Sequence, residues 1–165
     1  LKTLILLSGL PGSGKTTFYD KVLAARYNYH LIRLSMDDLR RQITGQDFFP
    51  AAESIVHSWL DLTGQYLLEH GYSFLIDTTS LSKNIRLKWV QLAKKYGYVV
   101  QCFWLSTPPA DCLERNKKRA RFVPQDVILK MASTLQIPSF DEGYDDLIFV
   151  STYHNFFQEE SQVKE

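Results

Sequence analysis

Gly9-Leu10-Pro11-Gly12-Ser13-Gly14-Lys15-Thr16 is the stretch on which the reading of this chain turns. It matches G-x-x-x-x-G-K-[ST], a loop that cradles phosphates. The flanks supply the context that the motif needs. Thr3-Leu4-Ile5-Leu6-Leu7-Ser8 is a short apolar run and reads as a buried strand. Thr16 to Arg26 has helix-forming composition, with Phe18, Val22, Leu23 and Ala25 at helical spacing. Glycines let the backbone turn sharply and bring its N–H groups close to phosphate oxygens. The helix that follows presents unpaired N–H groups and a positive dipole end to the anion. Lys15 can reach the β- and γ-phosphates, and Thr16 can give a hydroxyl to Mg²⁺. Gly9, Pro11, Gly12, Ser13, Gly14, Lys15, Thr16 and Thr17 are therefore the expected residues around a nucleotide's phosphates.

Beyond the loop, strands and helices alternate. His30–Leu34 reads as a second strand, and Ser35 caps a helix over Met36–Ile43 that Gly45 ends. Phe48 and Phe49 in the following connection read as core, or as the lining of a groove. Ala51–His70 is a long amphipathic helix, with Ile55, Trp59, Leu62 and Tyr66 as its apolar stripe. Tyr72–Asp77 is a third strand. Ser82–Tyr96 is a helix with Ile85, Trp89, Leu92 and Tyr96 on its apolar face. Tyr98–Trp104 is a fourth strand, Pro108-Pro109 and Pro124 each open a helix, and Leu147–Val150 is a last strand. The pattern predicts an α/β fold, a parallel sheet of about five strands with helices on both faces. Continuous apolar strands suit such a sheet, which puts ligands beyond the carboxyl ends of its strands.

The chain has 165 residues, enough for one domain with a sizeable core. With no repeat or linker, residues 1–165 read as a single domain. A formal net charge of +1 gives a nucleic-acid partner no support from overall charge, so such a partner must be argued from local clusters. No apolar run reaches transmembrane length and no signal-peptide pattern opens the chain, which predicts no membrane partner and a cytoplasmic setting. Cys102 and Cys112 lack metal-ligand spacing, and Cys102 lies in an apolar run, which fits a reducing compartment. His30, His57, His70 and His154 are scattered and read as structural or surface residues.

Three further groups carry chemistry. Asp37 and Asp38 open the helix after strand two, and Arg40 follows one turn in. Acidic residues gain about 0.3–1 kcal/mol at a helix N-terminus with no catalytic role, which accounts for Asp38. It does not account for an arginine in that turn. A phosphoryl transferase needs a carboxylate near the acceptor hydroxyl and a cation on the acceptor, and Asp37 and Arg40 share a helix face. Asp77 ends an apolar strand, the pattern of a carboxylate that orients Mg²⁺. Thr16, Asp37 and Asp77 are thus the expected metal-side groups. Arg115-Asn116-Lys117-Lys118-Arg119-Ala120-Arg121 is the densest basic cluster. As a lid, it would put Arg115 and Arg119 on one helical face toward the triphosphate. No N-K-x-D motif for reading guanine is present, which lowers a GTPase switch reading.

Taken together, Gly9–Thr16, Asp37-Asp38-Leu39-Arg40, Asp77-Thr78, Arg115–Arg119 and Val123-Pro124-Gln125-Asp126-Val127-Ile128 resemble the 5′-hydroxyl polynucleotide kinase domain of bacteriophage and bacterial RNA-repair enzymes. The resemblance runs from the first strand to Val150. It implies ATP and Mg²⁺ as cofactors and a 5′-OH end of RNA or DNA as the acceptor. It also implies Asp37 as general base, Arg40 on the acceptor's flanking phosphate, and Arg119 on the donor with Arg115 in support. The asparagine often found after strand three in that family is absent from Asp77-Thr78-Thr79-Ser80-Leu81. No phosphatase signature or ligase motif occurs in the chain, so repair domains would be fused or separate partners. The alternative expectations are a P-loop kinase for a small metabolite, nucleoside or antibiotic, and a nucleotide-binding switch without catalysis.

Overall fold

The computed structural model describes residues 1–27 and 30–151. His154 and the tail from Phe156 lie outside the described residues. Five parallel strands form one sheet in the order β2-β3-β1-β4-β5. β1 (Thr3–Ser8) is central and buried along its whole length. It pairs with β3 (Phe74–Asp77) on one side and with β4 (Val99–Leu105) on the other. β2 (Ile32–Ser35) and β5 (Asp146–Val150) are the edges. The expected sheet is therefore present, with strand bounds moved by one or two residues.

Alternation along β1 divides the core. Leu4 and Leu6 face one apolar cluster, while Ile5 and Leu7 face the other. The first cluster is closed by α3 (Met36–Thr44), α4 (Glu53–Glu69) and α5 (Lys83–Lys95), through Met36, Val56, Leu60, Trp89 and Val90. The second takes Phe18 and Leu23 from the helical run after the loop. That run is α1 (Lys15–Phe18), a π-helical turn (Tyr19–Leu23) and α2 (Ala24–Arg26). The wider turn rotates the buried face, so Ala24 is buried and Ala25, expected inside, is exposed.

The stripe expected to bury α4 is on the outside. Ile55, Trp59, Leu62 and Tyr66 are 49%, 48%, 68% and 55% exposed, whereas Val56, Leu60, Gly64, Leu67 and Leu68 face the core. The helix carries two apolar stripes, and the one with the smaller residues goes inward. A Cβ on Gly64 would come within 2.4 Å of the Trp89 ring, so α4 and α5 pack too closely for any side chain there. Ile85 is likewise exposed, while Trp89 is buried and Leu92 and Tyr96 pack partly against the core. Phe48 and Phe49 are exposed, which overturns their reading as core.

Candidate functional site at the carboxyl edge of the sheet

The phosphate-binding loop leaves β1 at the carboxyl end of the central strand, between the ends of its two neighbours. Backbone packing dictates its glycines. A Cβ on Gly12, whose φ is +81°, would lie 2.4 Å from the Cys112 carbonyl oxygen of α6 (Pro109–Lys117). One on Gly9 would lie 2.7 Å from Ser13 Oγ. Gly14 takes φ +100° at the start of α1. The loop is anchored from outside, where the Ser13 carbonyl accepts from Thr107 Oγ1 at 2.9 Å and from Arg115 Nη1 at 3.4 Å. Ser13 Oγ is buried without a hydrogen-bond partner. Pro11 is buried, and Thr16 and Thr17 lie exposed in the first helical turn.

Lys15 Nζ folds back onto the Gly9 and Leu10 carbonyls at 2.8 and 2.9 Å. Burial lowers its pKa to about 8. Asp77 and Asp37 lie near enough to work against that shift, and Arg119 near enough to add to it. The four groups expected from the sequence to meet a transferring phosphate therefore share one electrostatic neighbourhood.

The acceptor side is an unbroken chain of charges. Asp37 Oδ1 accepts from Arg40 Nη1 at 2.8 Å, and Asp37 Oδ2 pairs with Arg121. Arg40 in turn gives Nε and Nη2 to the two oxygens of Glu53, each at 2.8 Å. Ser35 Oγ caps α3 by accepting from the Asp38 N–H at 3.2 Å, which places Asp37 and Arg40 on the turn facing the loop. Burial works to raise the Asp37 pKa. The hydrogen bond and charge of Arg121, with Arg40 and Lys15, outweigh it and hold the carboxyl below its ordinary range.

Asp77 is buried at the end of β3. It accepts from Arg33 Nε at 3.1 Å and from Nη2 at 2.5 Å, a partner on the adjacent edge strand. The turn after it is fixed by unusual means. Ser80 has φ +46°, and its carbonyl accepts from Ser8 Oγ and from Arg86 Nη1, both at 2.9 Å. The Thr79 carbonyl accepts from the Gly9 N–H at 3.0 Å, which joins this turn to the phosphate loop. Arg86 is fully buried, and it gives Nε and Nη2 to Glu142 at 2.8 and 2.7 Å.

The basic cluster divides differently from the expectation. α6 ends at Lys117, so Arg119 sits on the following turn and shares no helical face with Arg115. The buried Asn116 side chain pairs with both backbone groups of Val123, at 2.7 and 3.1 Å, and closes the loop that carries Arg119 and Arg121. Sequence reasoning missed Arg121, Arg33 and Glu53. Arg121 was visible only as one cation in the run. Glu53 had no signal beyond being acidic at a helix start.

Among the described residues, no group of three or more His, Cys, Asp and Glu side chains could enclose a metal ion unaided. Mg²⁺ is ordinarily held by one or two carboxylates with phosphate oxygens and water. Thr16 beside the loop and Asp37 and Asp77 flanking Lys15 fit that mode. The glycine cradle and the orphaned Ser13 hydroxyl fit a polyphosphate.

The AAA domain family matches residues 4–138. The L-seryl-tRNA(Sec) kinase of Methanococcus maripaludis is 28% identical over 149 residues, which are 86% of this chain and 56% of that protein. A chain of the Pnkp1/Rnl/Hen1 RNA repair complex is 26% identical, with a TM-score of 0.66, over 82% of this chain and 44% of that one. A putative kinase from Chloroflexus aurantiacus shares the fold over 99% of both chains, with a TM-score of 0.71 at 18% identity. The chain thus spans about half the length of the first two relatives.

Proposed function

The chain belongs to the AAA domain family, and we propose that within it the chain is an ATP-dependent kinase whose acceptor is the 5′-hydroxyl end of a nucleic acid. The observation that carries this reading is the Asp37–Arg40–Glu53 arrangement beside Lys15. It sets a carboxylate, free to take a hydroxyl proton once Arg121 leaves it, next to a guanidinium whose orientation is already fixed. A rigid guanidinium loses little entropy when it takes a phosphate, and Arg40 keeps N–H groups beyond those given to Glu53 and Asp37. Two relatives above 25% identity support an RNA-linked acceptor, since one is a kinase for seryl-tRNA(Sec) and the other belongs to an RNA repair complex.

In this reading Gly9, Pro11, Gly12, Ser13, Gly14, Lys15, Thr16 and Thr17 hold the ATP phosphates. Thr16, Asp37 and Asp77 would hold Mg²⁺, which would screen charge on the phosphates. Lys15 swings from its two carbonyl partners to the β- and γ-phosphates. Arg119, with Arg115 beside the loop, neutralises charge on the transferring group. Arg121 leaves Asp37 as the acceptor enters. Asp37 is already ionised, as a base must be, and it takes the hydroxyl proton late because the transition state is loose. Arg40 positions the strand through a phosphate without reading its sequence.

The test is transfer of labelled γ-phosphate to matched RNA and DNA strands with 5′-OH ends, with seryl-tRNA and a panel of nucleosides and sugars alongside. The expected label is on the 5′ ends. Label confined to seryl-tRNA or to the small molecules refutes this acceptor and leaves a P-loop kinase of that other substrate.

A further inference from the structure

Arg33 takes no part in the chemistry proposed above, yet its side chain reaches into the site. β2 and β3 pair in parallel with Arg33 opposite Leu75, so Arg33 leaves the sheet on the face that also carries Leu75 and Asp77. Leu75 belongs to the apolar cluster of Phe18 and Leu23, so this is the face that the helical run after the phosphate loop covers. The guanidinium is held there on three sides. Its Nε and Nη2 donate to Asp77 at 3.1 and 2.5 Å, and Nη1 lies 3.6 Å from Asp38 Oδ2 on α3. Its central carbon lies 4.9 Å from the centroid of the Tyr19 ring, a cation over an aromatic face. Both bonds to Asp77 end on the same oxygen, Oδ2. Among the described residues, none donates to Oδ1. A carboxylate gripped at one oxygen keeps its plane and offers the other oxygen in a fixed direction.

We propose that Arg33 is the positioning residue of Asp77: its fork holds Oδ2 and so presents Oδ1 to the divalent cation of the nucleotide complex. This rests on the reading that Asp77 serves the metal. Carboxylates that meet metal ions are themselves hydrogen-bonded, and loss of such an outer partner costs about 10–100-fold in metal affinity. Charge alone predicts the opposite sign. Removing a cation from beside a metal site lifts a repulsion, so a metal should then bind more tightly without Arg33. A role limited to tying β2 to β3 would change stability and leave the metal affinity of the folded chain as it is. Orientation, charge and simple support are therefore separable by the direction of one measured change.

Mn²⁺, which takes the same oxygen ligands as Mg²⁺, is the probe. Its free signal in electron paramagnetic resonance is followed as it is titrated into the chain with an equal concentration of a non-hydrolysable ATP analogue, the analogue alone giving the baseline. Asp77→Asn should weaken Mn²⁺ binding. Arg33→Met should weaken it by about 10–100-fold, with the circular dichroism of the fold retained. Arg33→Lys keeps the charge but not the planar fork, so it should also bind Mn²⁺ more weakly than the wild type, and it answers the same question if methionine prevents folding. Unchanged affinity in Asp77→Asn takes Asp77 away from the metal and overturns the reading on which the proposal rests. Weakening in Asp77→Asn together with unchanged or tighter binding in Arg33→Met, or with wild-type binding in Arg33→Lys, overturns the role of Arg33 alone.

Discussion

Replacing Glu142 with glutamine should be among the costliest single changes to stability. Arg86 and Glu142 are both wholly buried, and their two hydrogen bonds are 2.7–2.8 Å long. Glutamine keeps the volume and removes the charge, which leaves the Arg86 guanidinium without a counter-ion in the core. Breaking a buried pair from one side costs about 3–5 kcal/mol. For a domain of this size that is a fall of roughly 6–20 °C in melting temperature. The Tyr144 hydroxyl, which donates to Glu142 at 2.7 Å, can still find the amide oxygen, so its loss adds little. The pairing of Arg86→Met with Glu142→Leu behaves differently. Removing both charges recovers part of the stability, because a well-packed apolar pair often matches a buried ion pair, while the Tyr144 hydroxyl and the Ser139 N–H lose their acceptor. It does not restore the donor to the Ser80 carbonyl, which holds the turn after Asp77. The double variant should therefore be more stable than Glu142→Gln alone while phosphoryl transfer stays reduced. Urea unfolding and end-labelling on the same preparations read both quantities. A loss below about 1 kcal/mol in Glu142→Gln would refute the reasoning, as would full activity in the double variant. Acid gives an independent check. Although burial opposes it, Arg86 and Tyr144 hold the Glu142 pKa below its ordinary range. The unfolded chain thus takes up the proton first as pH falls. The contribution of Glu142 is present above about pH 4.3 and is lost as acidification passes through its lower folded value.

Other variants separate donor from acceptor. Asp37→Asn should lower kcat by roughly 10²–10⁴ and leave Mg²⁺-free ATP binding intact, since the proton acceptor is lost and the loop is untouched. An unchanged kcat would remove Asp37 from the chemistry. Gly12→Ala should abolish ATP binding, because its Cβ meets the Cys112 carbonyl at 2.4 Å in a left-handed backbone, and equilibrium dialysis reads this directly. Lys15 has a pKa of about 8 in the free chain. Phosphates raise it, so ATP binding should take up a proton and weaken above pH 8. Calorimetry in buffers of different ionisation enthalpy measures that uptake, and its absence at pH 8–9 would count against the buried lysine. Glu53→Gln frees Arg40 from its bidentate partner and should raise KM for a 5′-OH strand more than KM for ATP, as steady-state kinetics with each substrate varied would show.

The parts of the fold legible in the sequence were those that one local rule decides. β1 and its loop could be read because an apolar strand, fixed glycines and a lysine converge on a single geometry. Ser35 and Gly45 bounded α3 as capping rules require. Helix faces were less legible. α4 has two apolar stripes, and the larger residues suggested the wrong one. Only the approach of Trp89 to Gly64 decides which faces inward, and that contact joins residues 25 positions apart. The same limit applied at the site. Asp37, Arg40 and Asp77 announced themselves by position at strand and helix ends, where ligands of such sheets bind. Their partners Glu53, Arg121 and Arg33 did not, because pairing depends on how separate elements dock.

Those unread partners change how the site is understood. A bare Arg40 would be a mobile cation waiting for a phosphate. Held by Glu53 and touching Asp37, it is an oriented fork whose charge is already balanced by carboxylates. Arg121 likewise balances the second oxygen of Asp37. The charge chain is thus closed before any substrate arrives. An acceptor phosphate must displace or extend existing pairs, which costs affinity for a lone anion. On the proposed reading, a strand that offers a phosphate together with its hydroxyl meets Arg40 and Asp37 at once. On that reading, the pairing favours an acceptor that carries both groups over a lone phosphate.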